Sequence, residues 1–410
     1  MPPGTPTPAR HYALLLFADF GHVAPTLGVA RELLARGHRV TYVVDERFAS
    51  LVEDCGARAV TYSSARGDFY RAADPSPDRL ARDGYDLLVD TIRTVFPAAR
   101  DGLAADPPDV LLYDFETVAA GRVAARVLGA VPVQVCPSHA ANETFSLRSQ
   151  MWDPGHPLMA EGARVLIDFM GEHGIGLEEM GRYGIEWDER NLVFLPRAFQ
   201  IEGDSFDDRF VFVGPTFAEP GLGLWAPPSD GHRVALVSLG TESGDRGDFF
   251  RLCAEAFPAE DWHVVMTLGR DVDPALVGSL PAHVEAHSWL PHPAVLPHAE
   301  VFVCHAGMGS LMESLAYGTP VVALPRAHEL DLSARRLEEC GVGRALPRAG
   351  LTARSLADTV AGLLADPAAP AALSRMRNAV REAGGATRAA DMLETWTAQA
   401  PAAPAAPAAG

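Results

Sequence analysis

Short β-branched and apolar runs alternate with stretches of helical period along this chain, break off once in a segment rich in Pro and Gly, and then begin again. Strands separated by helices pair in parallel, because each helix must carry the chain back along the sheet before the next strand starts. The runs at 12–17, 39–44, 59–62, 110–113, 131–135 and 192–195 read as strands, and 25–36 reads as a helix closed by Gly37. Residues 214–230, GPTFAEPGLGLWAPPSD, have no period and read as a linker. Beyond it, strands are expected at 234–239, 263–268, 301–303 and 321–324, with helices at 248–257, 310–317, 331–340, 353–364 and 369–382. The expected architecture is α/β: two Rossmann-like, doubly wound parallel sheets in domains 1–213 and 231–385, with a ligand cleft outside the C-terminal strand ends. A chain of 410 residues is long enough for two such cores. The closing PAAPAAPAAG cannot bury a core, so 398–410 reads as a disordered tail.

Composition narrows the ligands. With 34 Lys and Arg against 53 Asp and Glu, the net charge is −19, so neither nucleic acid nor an anionic membrane is an expected partner. An anionic small molecule must then be held by local dipoles. Cys55, Cys136, Cys253, Cys304 and Cys340 are widely spaced without a CxxC pair and read as buried thiols in a reducing compartment. The opening MPPGTPTPARH has no basic signal region, and no window has the apolar length of a membrane span. A cytoplasmic location is expected.

Two strand-to-helix junctions carry chemistry. In VFVCHAGMGSLMESLAYG, residues 301–318, a turn with His305, Gly307 and Gly309 precedes a helix that Ser310 is expected to cap. Backbone N–H groups gather at such a turn and can hold a phosphate without a basic side chain. In LFADFGHVAPTLG, His22 follows the first strand and precedes Pro25, placing a candidate general base at the same cleft. Asp114 ends the strand 110–113 and can orient such a histidine and carry its developing charge. Each also has a plainer reading, His22 as a first-turn helix residue and Asp114 as a helix cap. Other chemistries fail on spacing. Gly307-Met308-Gly309 is followed by Met312 where a dinucleotide fingerprint needs its third glycine, His328-Glu329 meets Leu332 where HExxH needs histidine, and no GxSxG is present.

Taken together, FGHVAPTLGVARELLARGHRVTYV, VSLGT and SWLPHPAVLPHAEVFVCHAGMGSLMESLAYGTPVVALP resemble the family 1 nucleotide-sugar-dependent glycosyltransferases. Within that family the chain is most similar to the bacterial macrolide and natural-product enzymes, over about 12–396. The resemblance implies a GT-B fold whose first domain takes a hydrophobic small-molecule acceptor and whose second takes a UDP- or dTDP-sugar co-substrate. It also implies an inverting, metal-independent displacement needing no cofactor, and a last helix, 386–397, that crosses back to the first domain. By the same resemblance His22 is the base and Asp114 its partner, Trp289 stacks on the nucleotide base, and Glu313 binds the ribose. His305, Gly307, Gly309 and Ser310 form the diphosphate turn, with Thr241 on a neighbouring loop.

The pattern is not complete. Glu329 and Leu330 stand where Asp-Gln often holds sugar hydroxyls, which favours a deoxysugar over glucose, and His292 stands where Gln is frequent, which leaves the base preference open. Phe20 occupies a position that is histidine in some relatives. Residues 63–82 and 137–190 contain Phe69, Tyr70, Phe145, Met151, Trp152, Phe169 and Met170, which are candidates either for acceptor walls or for ordinary helix packing. A GT-B-shaped helper protein without turnover is the alternative function, against which the presence of both His22 and Asp114 argues. Oligomeric state is not legible.

Overall fold

The computed structural model describes residues 8–64, 76–151, 153–217, 223–240, 247–269 and 277–399, and within them the alternating pattern builds two sheets. The first contains β1 (His11–Leu15), β2 (Arg39–Asp45), β3 (Arg58–Tyr62), β4 (Val110–Asp114), β5 (Val131–Cys136), β6 (Asn191–Val193) and β7 (Phe210–Phe212) in the order β3-β2-β1-β4-β5-β6-β7. The second contains β8 (Arg233–Ser238), β9 (Trp262–Thr267), β10 (Val284–His287), β11 (Ala299–Cys304), β12 (Val321–Ala323) and β13 (Gly343–Ala345) in the order β10-β9-β8-β11-β12-β13. Every neighbouring pair is parallel, as a strand–helix alternation requires. The strands β7, β10 and β13 were not expected. All three lie at sheet edges, where a strand has one neighbour and does not need a long apolar run.

Strand order reverses direction between β1 and β4 in one sheet and between β8 and β11 in the other. A doubly wound sheet opens a crevice at that point, because the flanking connections leave toward opposite faces. An apolar cluster joins the domains: Cys136, Leu195, Phe199 and Phe212 from the first pack in one body with Leu236, Leu311, Val321 and Ala334 from the second. Burial of a side chain such as Phe199 is worth about 1.5–3 kcal/mol, so the seam is a structural contact.

The last described helix, Gly385–Gln399, leaves the second domain and packs on the first. Ala389, Ala390, Leu393 and Trp396 join the core that holds Tyr12, Val23 and Leu33. At its rim Arg36 donates to Asp391 at 2.7 Å and to Glu394 at 2.9 Å, and the His38 Nε2 lies 2.8 Å from Glu394. No helix among the described residues is long and apolar enough to cross a membrane.

Candidate active site

The first helix, Phe20–Ala35, starts ahead of Pro25, because the Asp19 carboxylate accepts the Gly21 N–H at 2.7 Å and caps it there. His22 therefore sits in the first turn, with Pro25 inside the helix. Its Nδ1 lies 2.8 Å from Oδ2 of Asp114, at the end of β4 and fully buried. The other oxygen, Oδ1, accepts the Glu116 N–H at 2.8 Å and caps the short turn Phe115–Thr117. One oxygen of Asp114 thus caps this turn while the other lies in hydrogen-bond contact with His22. A carboxylate only accepts, so in the neutral ring Nδ1 carries the proton and Nε2 keeps its lone pair. Phe115 stacks on the imidazole at 5.7 Å and Phe17 meets it edge-on at 5.0 Å, which restrains the ring. Burial pulls the imidazole down. The adjoining Asp114 charge and hydrogen bond, with Asp19 and Glu116 farther away, outweigh it and raise His22 to about 9.

Across the cleft, His305 follows β11 and its ring lies between two glycines. A Cβ on Gly307 would stand 2.3 Å from the ring Nε2, and one on Gly240 would stand 2.5 Å from Cε1. Gly307 therefore makes room for the histidine, whereas a Cβ on Gly309 would meet nothing within 4 Å. Ala306, between His305 and Gly307, is buried with a φ of 70°, a left-handed conformation that costs a non-glycine residue roughly 1–2 kcal/mol. The expected capping by Ser310 is corrected: the helix runs Met308–Tyr317 with Gly307 as its N-cap, and no side chain caps it. Ser310 stands in the first turn, where N–H groups have no partner within the helix and face the direction an anion would occupy.

Glu313, on this helix, accepts from His292 Nδ1 at 2.8 Å, and Nε2 of that histidine lies 3.2 Å from Thr267 Oγ1. Thr267, at the end of β9, was not singled out in the sequence, since its place in this relay depends on β9 lying beside β10 and β8. Trp289 is 40% exposed, and its ring meets Phe20 of the first domain edge-on at 5.6 Å. Glu329 stands in the first turn of the helix His328–Glu339 and accepts from Ser138 of the first domain at 3.1 Å. Burial first, then the negative Glu116, hold its carboxyl above the usual range, against the pull of His22 and the Ser138 bond. Leu330 is half-buried against the apolar cluster at the seam. Thr241 lies outside the described residues.

Of the acceptor candidates, Phe169 and Met170 belong to a core with Phe96 and Tyr113, so their role is helix packing. Phe145 is buried and meets His139 edge-on. Phe69, Tyr70, Trp152 and the Met151 side chain lie outside the described residues. A pocket does open beside the His22 site, where Phe115, Glu116, Leu147, Glu186 and His139 of the first domain face Glu329 of the second.

Two parallel-sheet domains that face each other at their switch points, with a terminal helix returning from the second to the first, define the GT-B class. Residues 253–394 match the model of the erythromycin biosynthesis protein CIII-like C-terminal domain. The chain is 36% identical to demethyllactenocin mycarosyltransferase of Streptomyces fradiae, over 94% of this chain and 86% of that one. It is likewise 36% identical to oleandomycin glycosyltransferase of Streptomyces antibioticus, over 95% and 91%. The crystal structure of CalG4, the calicheamicin glycosyltransferase, matches with a TM-score of 0.84 at 35% identity, covering 95% of this chain and 99% of that one. The chain belongs to the nucleotide-sugar-dependent glycosyltransferases of GT-B fold related to those of bacterial natural products, and it is an enzyme that acts on small-molecule acceptors.

Proposed function

We propose that the protein transfers a sugar, with inversion, from a UDP- or dTDP-sugar to a hydroxyl of a hydrophobic polyketide or phenolic acceptor. The observation that carries this reading is the His22–Asp114 pair at the switch point of the first sheet, 2.8 Å apart. In the reaction the acceptor oxygen attacks the anomeric carbon, its proton passes to His22 Nε2, and the bond from that carbon to the diphosphate oxygen breaks. Asp114 stabilises the imidazolium that forms. The leaving diphosphate gathers charge near His305 and the first turn of Met308–Tyr317, where N–H groups are already aimed. Trp289 stacks on the base, Glu313 binds the ribose with His292 holding its carboxylate in place, and Gly307, Gly309 and Ser310 shape the phosphate turn. Glu329 takes a sugar hydroxyl; Leu330 offers none, which suits a deoxysugar. Two relatives, demethyllactenocin mycarosyltransferase and oleandomycin glycosyltransferase, support a natural-product acceptor.

The test is a transfer assay with UDP-glucose and dTDP-glucose against macrolides and phenols, read by mass spectrometry, with product configuration read by NMR. His22→Ala should abolish transfer and spare nucleotide binding. Transfer at the wild-type rate would remove His22 as the base, and retained configuration would remove the single displacement.

A further inference from the structure

His139 follows β5 on the wall of the pocket shared by the domains, and nothing in the catalytic scheme uses it. It is 3% exposed, and neither ring nitrogen has a hydrogen-bond partner. Its ring stacks on Phe199 at 5.8 Å and 17°, and Phe145 meets it edge-on at 6.2 Å, so both its position and its plane are held by aromatic contact. Gln200 is the hydrogen-bonding side chain that acts on the ring, but its Nε2 donates to the Ala140 and Ile201 carbonyls at 3.1 and 3.0 Å and its Oε1 accepts the Ala140 N–H at 3.0 Å, and it meets neither ring nitrogen in hydrogen-bond geometry. Burial, with Arg336 adding a like charge, pushes this imidazole down to about 3, so it is neutral throughout the working range of an enzyme.

A neutral imidazole presents one donor and one acceptor. A hydroxyl, which also donates and accepts, is the group that satisfies such a pair. An anion is disfavoured here, because Glu116, Glu186 and Glu329 line the same pocket and its Arg148 already pairs with Glu116 at 3.1 Å. Buried polar groups left without partners cost stability, and they persist where a ligand completes them. Phenylalanine at this position would keep the stacking on Phe199 without that cost.

We propose that His139 is a specificity-determining residue that binds a hydroxyl of a bound substrate, either the donor sugar or the acceptor, inside this pocket. The inference rests on the proposed transferase reading but is tested through binding, so the two can fail separately. Calorimetry on the full chain would give the Kd of UDP, of UDP-glucose, and, with UDP present, of the panel acceptor bound most tightly by the wild type. Thermal unfolding of the ligand-free protein would be recorded for His139→Phe and His139→Gln. His139→Phe should raise the first unfolding midpoint by roughly 2 °C or more, leave UDP unchanged, and weaken either UDP-glucose or the acceptor about tenfold. His139→Gln should recover part of that affinity. Weakening confined to UDP-glucose assigns the hydroxyl to the sugar, and weakening confined to the acceptor assigns it there. A lowered midpoint with all three affinities unchanged would overturn the proposal and make His139 a packing residue.

Discussion

Asp114→Asn isolates the carboxylate's work from its place in the fold. The amide can still accept the Glu116 N–H through Oδ1, now made at 2.8 Å, so the cap survives. That bond turns the Nδ2 amide toward His22 Nδ1, 2.8 Å from the other oxygen today. The imidazole must then accept at Nδ1 and carry its proton on Nε2, the atom required to act as base. The carboxylate is also the chief influence that raises His22 from 6.5 to about 9, a gap worth about 3 kcal/mol for the charged ring. Without it, burial pulls the ring down against only the more distant Asp19 and Glu116. The acidic limb of kcat/KM should accordingly move well below pH 9, while the high-pH plateau falls by up to about 10⁴, the loss known for a wrong tautomer in a His–Asp pair. Near pH 7 only about one wild-type molecule in a hundred holds neutral His22, so the two enzymes differ least there and most above pH 9. A pH–rate profile of both, with folding checked by circular dichroism, decides it. An acidic limb still near 9 in the variant, or an unchanged plateau, would falsify the assignment.

Other outcomes follow from the same geometry. His305→Ala should weaken UDP or dTDP binding about tenfold by calorimetry, and Gly307→Ala should do the same, since its Cβ would fall 2.3 Å from the His305 ring. Because His22 is raised when folded, its contribution to stability is fully present below pH 6.5 and lost as pH rises through about 9. Urea unfolding should therefore show up to about 3 kcal/mol of decline over that window, beyond the decline seen in His22→Ala. Trp396→Ala should cost about 3–5 kcal/mol by denaturant titration, since the ring is buried in the first domain's core; a loss below 1 kcal/mol would mean that the last helix is not docked in solution. Leu330→Gln should raise kcat/KM for UDP-glucose several-fold against a deoxysugar donor; no change in that ratio would remove the residue from sugar selection.

Much of the fold was legible before any coordinates, and the reason is local. Central strands such as β1, β4, β8 and β11 are covered on both faces, so their runs are continuously apolar and stand out. The edge strands β10, with sequence VEAH, and β13, with GRA, have no such run and draw their structure from the neighbour they pair with. Helix starts were displaced for a similar reason. Pro25 signals a first turn, but the Asp19 cap decides it, and Ser310 has a capping side chain but stands inside a helix that begins at Met308.

By itself the sequence determined the two-sheet parallel architecture, the glycine-rich strand-to-helix turn after His305, and the identity of the groups at each strand end. Those depend on periodicity and on residue type, which are properties of neighbours along the chain. Only the tertiary structure decided that His22 and Asp114 share a hydrogen bond across 92 positions, that His292 holds Glu313, that Phe169 and Met170 are core, and that His139 is buried without a partner. Each of these depends on which strands lie side by side and on what the opposing domain covers, and no local stretch of residues encodes that.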